Sequence, residues 1–429
     1  MAAGEERVAL LAAASKLTRS FRLSTNGGAS REAVPSPTFP GMFPTGWSFD
    51  RGTRRGSAPM RAGSVPQIVA PAFRAYASSA CAVFACAIFA CAFSACATDP
   101  APGSSVLPAA VAWDTREKIG GVSLSAPRGE IPADALDPIV ELGAGWIAVI
   151  PYAFVDPDDP VVHFDGEGQF WGERPAGVAA TIVAAHERGL RVLVKPHLWV
   201  RGQGWPGEFA PDTDAGWGAF LASYHDYIAR FAAVADSVGA DMFSVGTEVD
   251  VVAAERPEFW RSLIADTRVV YDGPLTYAAN WDAYGDIPFW DALDLMGIDA
   301  YFPLAGDPTP TAERLVAAWE PWAREIEADS RRLGRPILFT EFGYRSVDGT
   351  AGEHWELPSG REARGMPINE GAQAAAYEAL FRVWWDRPDF AGGFLWKWYA
   401  GTPRADRVAT DFTPQGKAAE AVVARWYGR

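Results

Sequence analysis

Cysteine is scarce in this chain and confined to one short stretch. All four fall at Cys81, Cys86, Cys91 and Cys96, inside "CAVFACAIFACAFSAC". That five-residue spacing fits neither zinc-ligand patterns nor a scattered disulfide framework. Everything after residue 96 lacks a thiol, which excludes disulfides and cysteine nucleophiles there. Histidine is scarce too, five in all, with no HExxH arrangement, so no metal is implied. Basic charge is short: 38 Lys and Arg stand against 53 Asp and Glu, a net of −15. Residues 1–96 hold 10 of the basic and 4 of the acidic residues, which leaves the remainder at −21. A body this acidic is a poor partner for nucleic acid or anionic lipid and suits a neutral substrate. Aromatics, by contrast, are plentiful, with 18 Trp, more than a core of this size needs. Flat indole faces are a usual means of holding sugar rings.

The cysteine stretch has a second reading. Arg74 precedes it, no charge appears until Asp99, and the run between is rich in Ala and Phe. A basic residue, an apolar run and then small residues is the layout of a secretion signal. "FSAC" resembles a bacterial lipobox, with Cys96 as the lipidated residue. Ordinary cleavage after "ACA" (95–97) and an uncleaved anchor are the rivals, since the run approaches the ~20 residues that span a bilayer. The chain therefore divides into an upstream segment 1–59, disordered or a mis-called gene start, a signal segment 60–96, a linker 97–113 and a folded domain 114–429. The expected product is an exported monomer, lipid-anchored at the cell envelope.

From residue 119 short apolar runs alternate with longer amphipathic ones. The runs are 119–124, 146–153, 191–200, 241–250, 275–281, 295–301, 337–344 and 392–399. Between them, 175–190, 216–239 and 311–334 carry a helical period, with Gly189, Gly239 and Gly334 as stops. Eight strands with helices between most of them predict a (β/α)8 barrel of the α/β class, ahead of a doubly wound open sheet. No glycine-rich phosphate loop follows the first strand, which argues against a nucleotide-binding version.

In such a barrel chemistry gathers at the carboxyl ends of the strands. Polar and aromatic residues recur there: His197 and Trp199, Glu248, Asn280 and Trp281, Asp299 and Tyr301, Glu341, and Trp396, Lys397 and Trp398. A carboxylate ending an apolar strand, as Glu341 does in "ILFTEFGYRS", is costly unless paired or neutralised. Arg345 or Lys397 would be the ordinary partner. Two such carboxylates at separate strand ends are what glycoside hydrolysis needs, one to protonate the leaving oxygen and one to attack or to activate water.

"FSVGTEVD" and then "FTEFGYRS" resemble clan A glycoside hydrolases, whose acid/base Glu ends strand 4 and whose nucleophile ends strand 7. More narrowly, "VLVKPHLWV", "GTEVD", "TYAANWD", "FWDALDLMGIDAYFPL" and "TEFGYRS" look like glycoside hydrolase family 113, known mainly for retaining endo-β-1,4-mannanases. The resemblance runs from about residue 117 to 428. It implies Glu248 as acid/base, Glu341 as nucleophile, no cofactor, and β-1,4-linked mannan or mannooligosaccharide as substrate. The alternatives are another β-glycan, such as glucan or glucomannan, and a non-catalytic carbohydrate-binding lipoprotein. Thr247 stands where much of clan A carries an Asn that contacts the sugar 2-hydroxyl, and Asn280 is the replacement this sequence offers. Tyr301 is expected beside the nucleophile and Trp396 as the floor under the cleaved sugar. Trp398 shares the strand phase of Trp396 and should face the same way. His197 and Lys195 share a phase and are expected to contact neighbouring sugars or the carboxylates; the other readings are a satisfied core histidine for His197 and pairing to buried acids for Lys195 and Lys397. Trp199 and Trp281 either touch sugar or pack under the loops, and Asp299 orients the sixth strand's loop or touches sugar.

Overall fold

The computed structural model describes residues 113–429, apart from 359 and 364. The readings made for residues 1–112, lipidation of Cys96 among them, lie outside the described residues. Eight parallel strands close into a barrel: β1 (Ile119–Ser125), β2 (Trp146–Val149), β5 (Arg191–Val194), β7 (Met242–Thr247), β8 (Leu275–Asn280), β9 (Met296–Asp299), β10 (Ile337–Phe342) and β11 (Phe390–Tyr399). Their order around the wall follows the chain, with β1 bonded to both β2 and β11. The outer helices are α1 (Asp137–Glu141), α2 (Pro175–His186), α3 (Asp214–Val238), α4 (Asp250–Glu255), α5 (Pro257–Val270), α6 (Ala312–Leu333), α7 (Glu370–Trp384) and α8 (Ala418–Tyr427). The β8–β9 connection uses only short 3-10 turns. No described helix is long and apolar enough to cross a membrane.

Two expected strands are each cut in two. Run 146–153 leaves the barrel after Val149, and its second half becomes β3 (Tyr152–Asp156). Run 191–200 leaves after Val194 and resumes as β6 (His197–Val200). With β4 (Asp159–His163) these pieces form a small separate sheet in the order β4-β3-β6. Pro151 and Pro196 sit at the two breaks. Proline has no N–H to give to a ladder, so the wall ends there although the apolar pattern continues.

The helix ends follow from local chemistry. The Thr213 side chain accepts from Gly216 N–H to open α3, and Gly239 closes it at φ 72. The Thr311 side chain opens α6 in the same way, and Gly334 closes it at φ 65. A β-carbon is unfavourable at such angles, so glycine is the economical stop.

Two cores result. The floor of the barrel is filled by Ile119, Trp146, Leu193, Met242, Leu295, Leu338 and Phe394. Phe394 fits because Gly121 opposite has no side chain; a Cβ there would lie 2.4 Å from the ring. The larger core lies between wall and helices, where Trp260 packs on Tyr277 and both Trp319 and Trp384 pack on Phe339. Each large side chain so buried stabilises the fold by about 1.5–3 kcal/mol. Much of the tryptophan surplus is therefore structural: Trp260, Trp290, Trp319, Trp384 and Trp398 are fully buried.

Candidate active site

Above the apolar floor the barrel interior turns polar. Lys195, one residue past β5, is completely buried. Its ammonium donates to Asp299 Oδ1 at 2.9 Å and to Glu341 Oε1 at 2.6 Å. Asp299 ends β9 and pairs in register with Glu341 of β10, and Thr340 Oγ1 donates to Asp299 Oδ1 at 2.8 Å. Asp299 is wholly buried, so its place is beside Lys195 and Thr340. The cation on Glu341 is thus neither Arg345 nor Lys397. Arg345 donates to the carbonyls of Thr410 and Pro358, and Lys397 stands 3.5 Å from Asp411.

Glu341 has further partners. The Tyr301 hydroxyl donates to Oε2 at 2.7 Å. His197 Nε2 lies 3.4 Å from Oε1. Burial, with neighbouring Asp299 next, pushes Glu341 up to about 7, while Lys195 and Tyr301 pull it back. Burial opposes the charge on Lys195, but Asp299 and Glu341 outweigh it and hold the ammonium above its ordinary value. Burial and then Lys195 keep His197 well below the usual imidazole range, so it is neutral at pH 7. Burial also keeps Tyr301 protonated, and the phenol remains a donor.

Glu248 follows β7 directly and is the more isolated carboxyl. It adopts φ 50, a left-handed conformation that is uncommon for a residue with a side chain. Bonds from Glu248 N–H to Ala278 O and from Val249 N–H to the Tyr277 hydroxyl, both 2.8 Å, hold that turn to β8. The indole N–H of Trp205 donates to Glu248 Oε2 at 2.7 Å, and Oε1 is buried without a hydrogen-bond partner. Burial first, then the charges of Asp299, Glu341 and Asp250, raise Glu248 well above the carboxylate range; Lys195 works the other way. Glu341 therefore loses its proton before Glu248 does, because it alone has an ammonium and a phenol directly on its oxygens.

Around this pair the aromatic residues sort into two groups. Trp396 clusters with Ile150, Tyr301 and Phe412. It lies parallel to His197, with ring centroids 5.9 Å apart and 8° between the planes. Trp281 is half-buried and stacks on Trp355 at 5.4 Å and 19°. Asn280 Oδ1 accepts from Trp281 N–H, while its Nδ2 is buried with no partner. Trp199 belongs to β6 of the small sheet and rests over Gly204, whose missing Cβ would come 3.2 Å from the ring. Trp398 turns away from all of these. Val122 pairs Leu395 but Leu124 pairs Trp398, so β11 carries one residue more than β1 over this stretch. Such a bulge breaks the two-residue alternation. Trp398 is 1% exposed in the outer core and offers no face to the cleft.

Three residues near the pair went unnoticed in the sequence. Trp205 lies in "RGQGWPGE", His354 in "GEHWELP" and Tyr152 in β3. His354 leans on Tyr301 at 4.9 Å and Tyr152 on His197 at 5.2 Å. A tryptophan in a glycine-rich loop after a strand was the available signal for the first; nothing local marks the other two.

The profile of Glycoside Hydrolase Family 113 matches residues 127–417, well over half of the chain. The chain belongs to glycoside hydrolase family 113. This enzyme is similar to the GH113 β-mannanase AaManA from Alicyclobacillus acidocaldarius, solved in complex with ManMIm. That match has 27% identity and a TM-score of 0.63, and covers 72% of this chain and 97% of that one. A GH113 β-1,4-mannanase, solved also as a complex, matches at 25% identity with TM-scores of 0.62 and 0.61, covering 72% of this chain and 99% of those. No curated protein matches the family 113 chain.

Proposed function

We propose that this family 113 glycoside hydrolase cleaves β-1,4-linked mannan or mannooligosaccharides by double displacement. In the first step Glu341 attacks the anomeric carbon as the glycosidic bond breaks, and Glu248 passes its proton to the departing oxygen. In the second, Glu248 takes a proton from water while that water's oxygen attacks the same carbon and releases Glu341. The reading rests on one observation, the unequal surroundings of the two carboxyls. Glu341 receives Lys195 and the Tyr301 hydroxyl at 2.6 and 2.7 Å, as an ionised nucleophile requires. Glu248 has a single neutral donor and one bare oxygen, as a proton carrier requires.

Mannan as substrate is supported by the names of the similar solved structures. Asn280, with its donor unoccupied at the end of β8, is the group we assign to the sugar 2-hydroxyl, and Trp396 is assigned as the floor. Hydrolysis of mannan, glucomannan, xylan and cellulose oligomers, with the anomer of the first product read by NMR, tests this. Release of the β-anomer from mannan supports the reading. An inverted product, or activity confined to cellulose or xylan oligomers, contradicts it. We further propose export with lipid attachment at Cys96, on the apolar run and lipobox described above. Radiolabelled palmitate should enter the native protein and not its Cys96→Ser variant.

A further inference from the structure

The loop between β6 and α3 is fastened to the segment that carries Glu248. Val200 N–H donates to Gly204 O at 3.0 Å and Gly204 N–H to Val200 O at 2.7 Å, closing a tight turn. Gly202 and Gly204 take φ 78 and 89 there, angles that suit glycine. Trp205 comes next, and its ring folds over Gly207, where an added Cβ would sit 2.0 Å away. Gly207 O in turn accepts from Val251 N–H of α4 at 3.0 Å, three residues beyond Glu248. The absence of a side chain at Gly207 and a backbone bond to α4 together set the indole N–H 2.7 Å from Glu248 Oε2.

An indole N–H donates and never accepts. It can bond Oε2 whether Glu248 is charged or neutral, but it leaves no place on that side for a carboxyl hydrogen to be received. The carboxyl proton therefore resides on the other oxygen, Oε1, which is buried and bonded to nothing in the protein. We propose that Trp205 is a positioning residue for the acid/base: it fixes Oε2 of Glu248 so that Oε1 delivers the proton to the glycosidic oxygen and takes it back from water. This rests on Glu248 being the acid/base. The N–H bond is stronger to the carboxylate than to the neutral acid. The other charged or titratable groups around Glu248 are Lys195, Asp299, Glu341 and Asp250, with the phenols of Tyr152, Tyr277 and Tyr301. None of them replaces the lost donor at Oε2.

Trp205→Phe keeps a flat ring and removes the N–H. Because the basic limb of kcat/KM reports the acid's ionisation, that limb should move up by about one pH unit, with the acidic limb in place. At the wild-type optimum kcat/KM on an unactivated mannooligosaccharide should fall about tenfold, while a 2,4-dinitrophenyl β-mannobioside, whose leaving group needs no proton, stays within about twofold. Gly207→Ala keeps the indole but pushes it aside, and should show the same selective loss; it carries the test if the first variant does not fold. A basic limb that stays put, or equal loss on both substrates, overturns the proposal. Glu248→Ala run alongside separates the two claims. If that variant cleaves the unactivated substrate normally, the acid/base assignment itself fails. If it shows the selective loss and neither loop variant does, only the role of Trp205 fails.

Discussion

Replacing Lys195 with methionine removes the ammonium that two buried carboxyls share and leaves the stem's volume in place. In the intact enzyme the ammonium lies 2.6 Å from Glu341 and 2.9 Å from Asp299. An opposite charge at such range lowers a carboxyl by about 1–3 pKa units, and its loss raises the carboxyl by the same amount. Glu341 already stands at about 7. It is therefore half-ionised at pH 7, and a two-unit rise would leave about 1% ionised, so kcat/KM there should drop about fiftyfold. The acidic limb of kcat/KM on a mannooligosaccharide should shift to higher pH by the same interval. Stability should suffer as well, since removing one partner from a buried ion pair costs about 3–5 kcal/mol. The sign of its pH dependence is fixed by linkage. Asp299 and Glu341 in the variant have folded pKa values above their unfolded ones, so their contribution is present at low pH and lost as pH rises through the folded values. Thermal unfolding should show a smaller deficit at pH 5 than at pH 8. An unmoved acidic limb with an unchanged melting temperature would refute the idea that Lys195 holds the charge of Glu341.

Other expectations follow from the same geometry. Tyr301→Phe loses a bond to a charged oxygen, about 1.5–3 kcal/mol, so kcat/KM should fall about ten- to hundredfold and the acidic limb should move up, by less than for Lys195→Met. Glu248→Ala should keep turnover of activated aryl glycosides, while Glu341→Ala should form no glycosyl-enzyme, and added azide should not restore retaining chemistry to it. Trp398→Phe, in the outer core, should lower stability by about 1–2 kcal/mol and leave KM where it was; a raised KM would return this residue to the cleft. If Asn280 binds the 2-hydroxyl, Asn280→Ala should lower kcat/KM on mannooligosaccharides, and the loss that a 2-deoxy substrate causes in the wild type should not be added to it, because both changes delete one bond.

The barrel was legible because its strands repeat a local rule, apolar runs that end at polar residues, and helices that stop at Gly239 and Gly334. Where the rule was local it held, and it failed where one residue changed the geometry. Pro151 and Pro196 divide two runs that periodicity reads as continuous. One extra residue in β11 turns Trp398 into the core although it stands two places from Trp396. Glu248 and Glu341, the two carboxyls proposed for catalysis, stood out through motif. The partner of Glu341 was less so, because Lys195 is 146 residues away in the chain and only closure of the barrel brings them together. The indole on Glu248 was hidden for a related reason: a loop tryptophan has no periodicity, and its position depends on Gly207 and on α4.

The most direct measurement is a trap for the covalent intermediate. A 2-deoxy-2-fluoro β-mannoside with a good leaving group slows release of the glycosyl-enzyme, and peptide mapping by mass spectrometry then locates the sugar. The sugar should be found on Glu341, in the peptide containing "FTEFGY", and labelling should vanish in Glu341→Ala. Labelling at Glu248, or time-dependent hydrolysis with no adduct on any carboxylate, would contradict the assignment on which the mechanism stands.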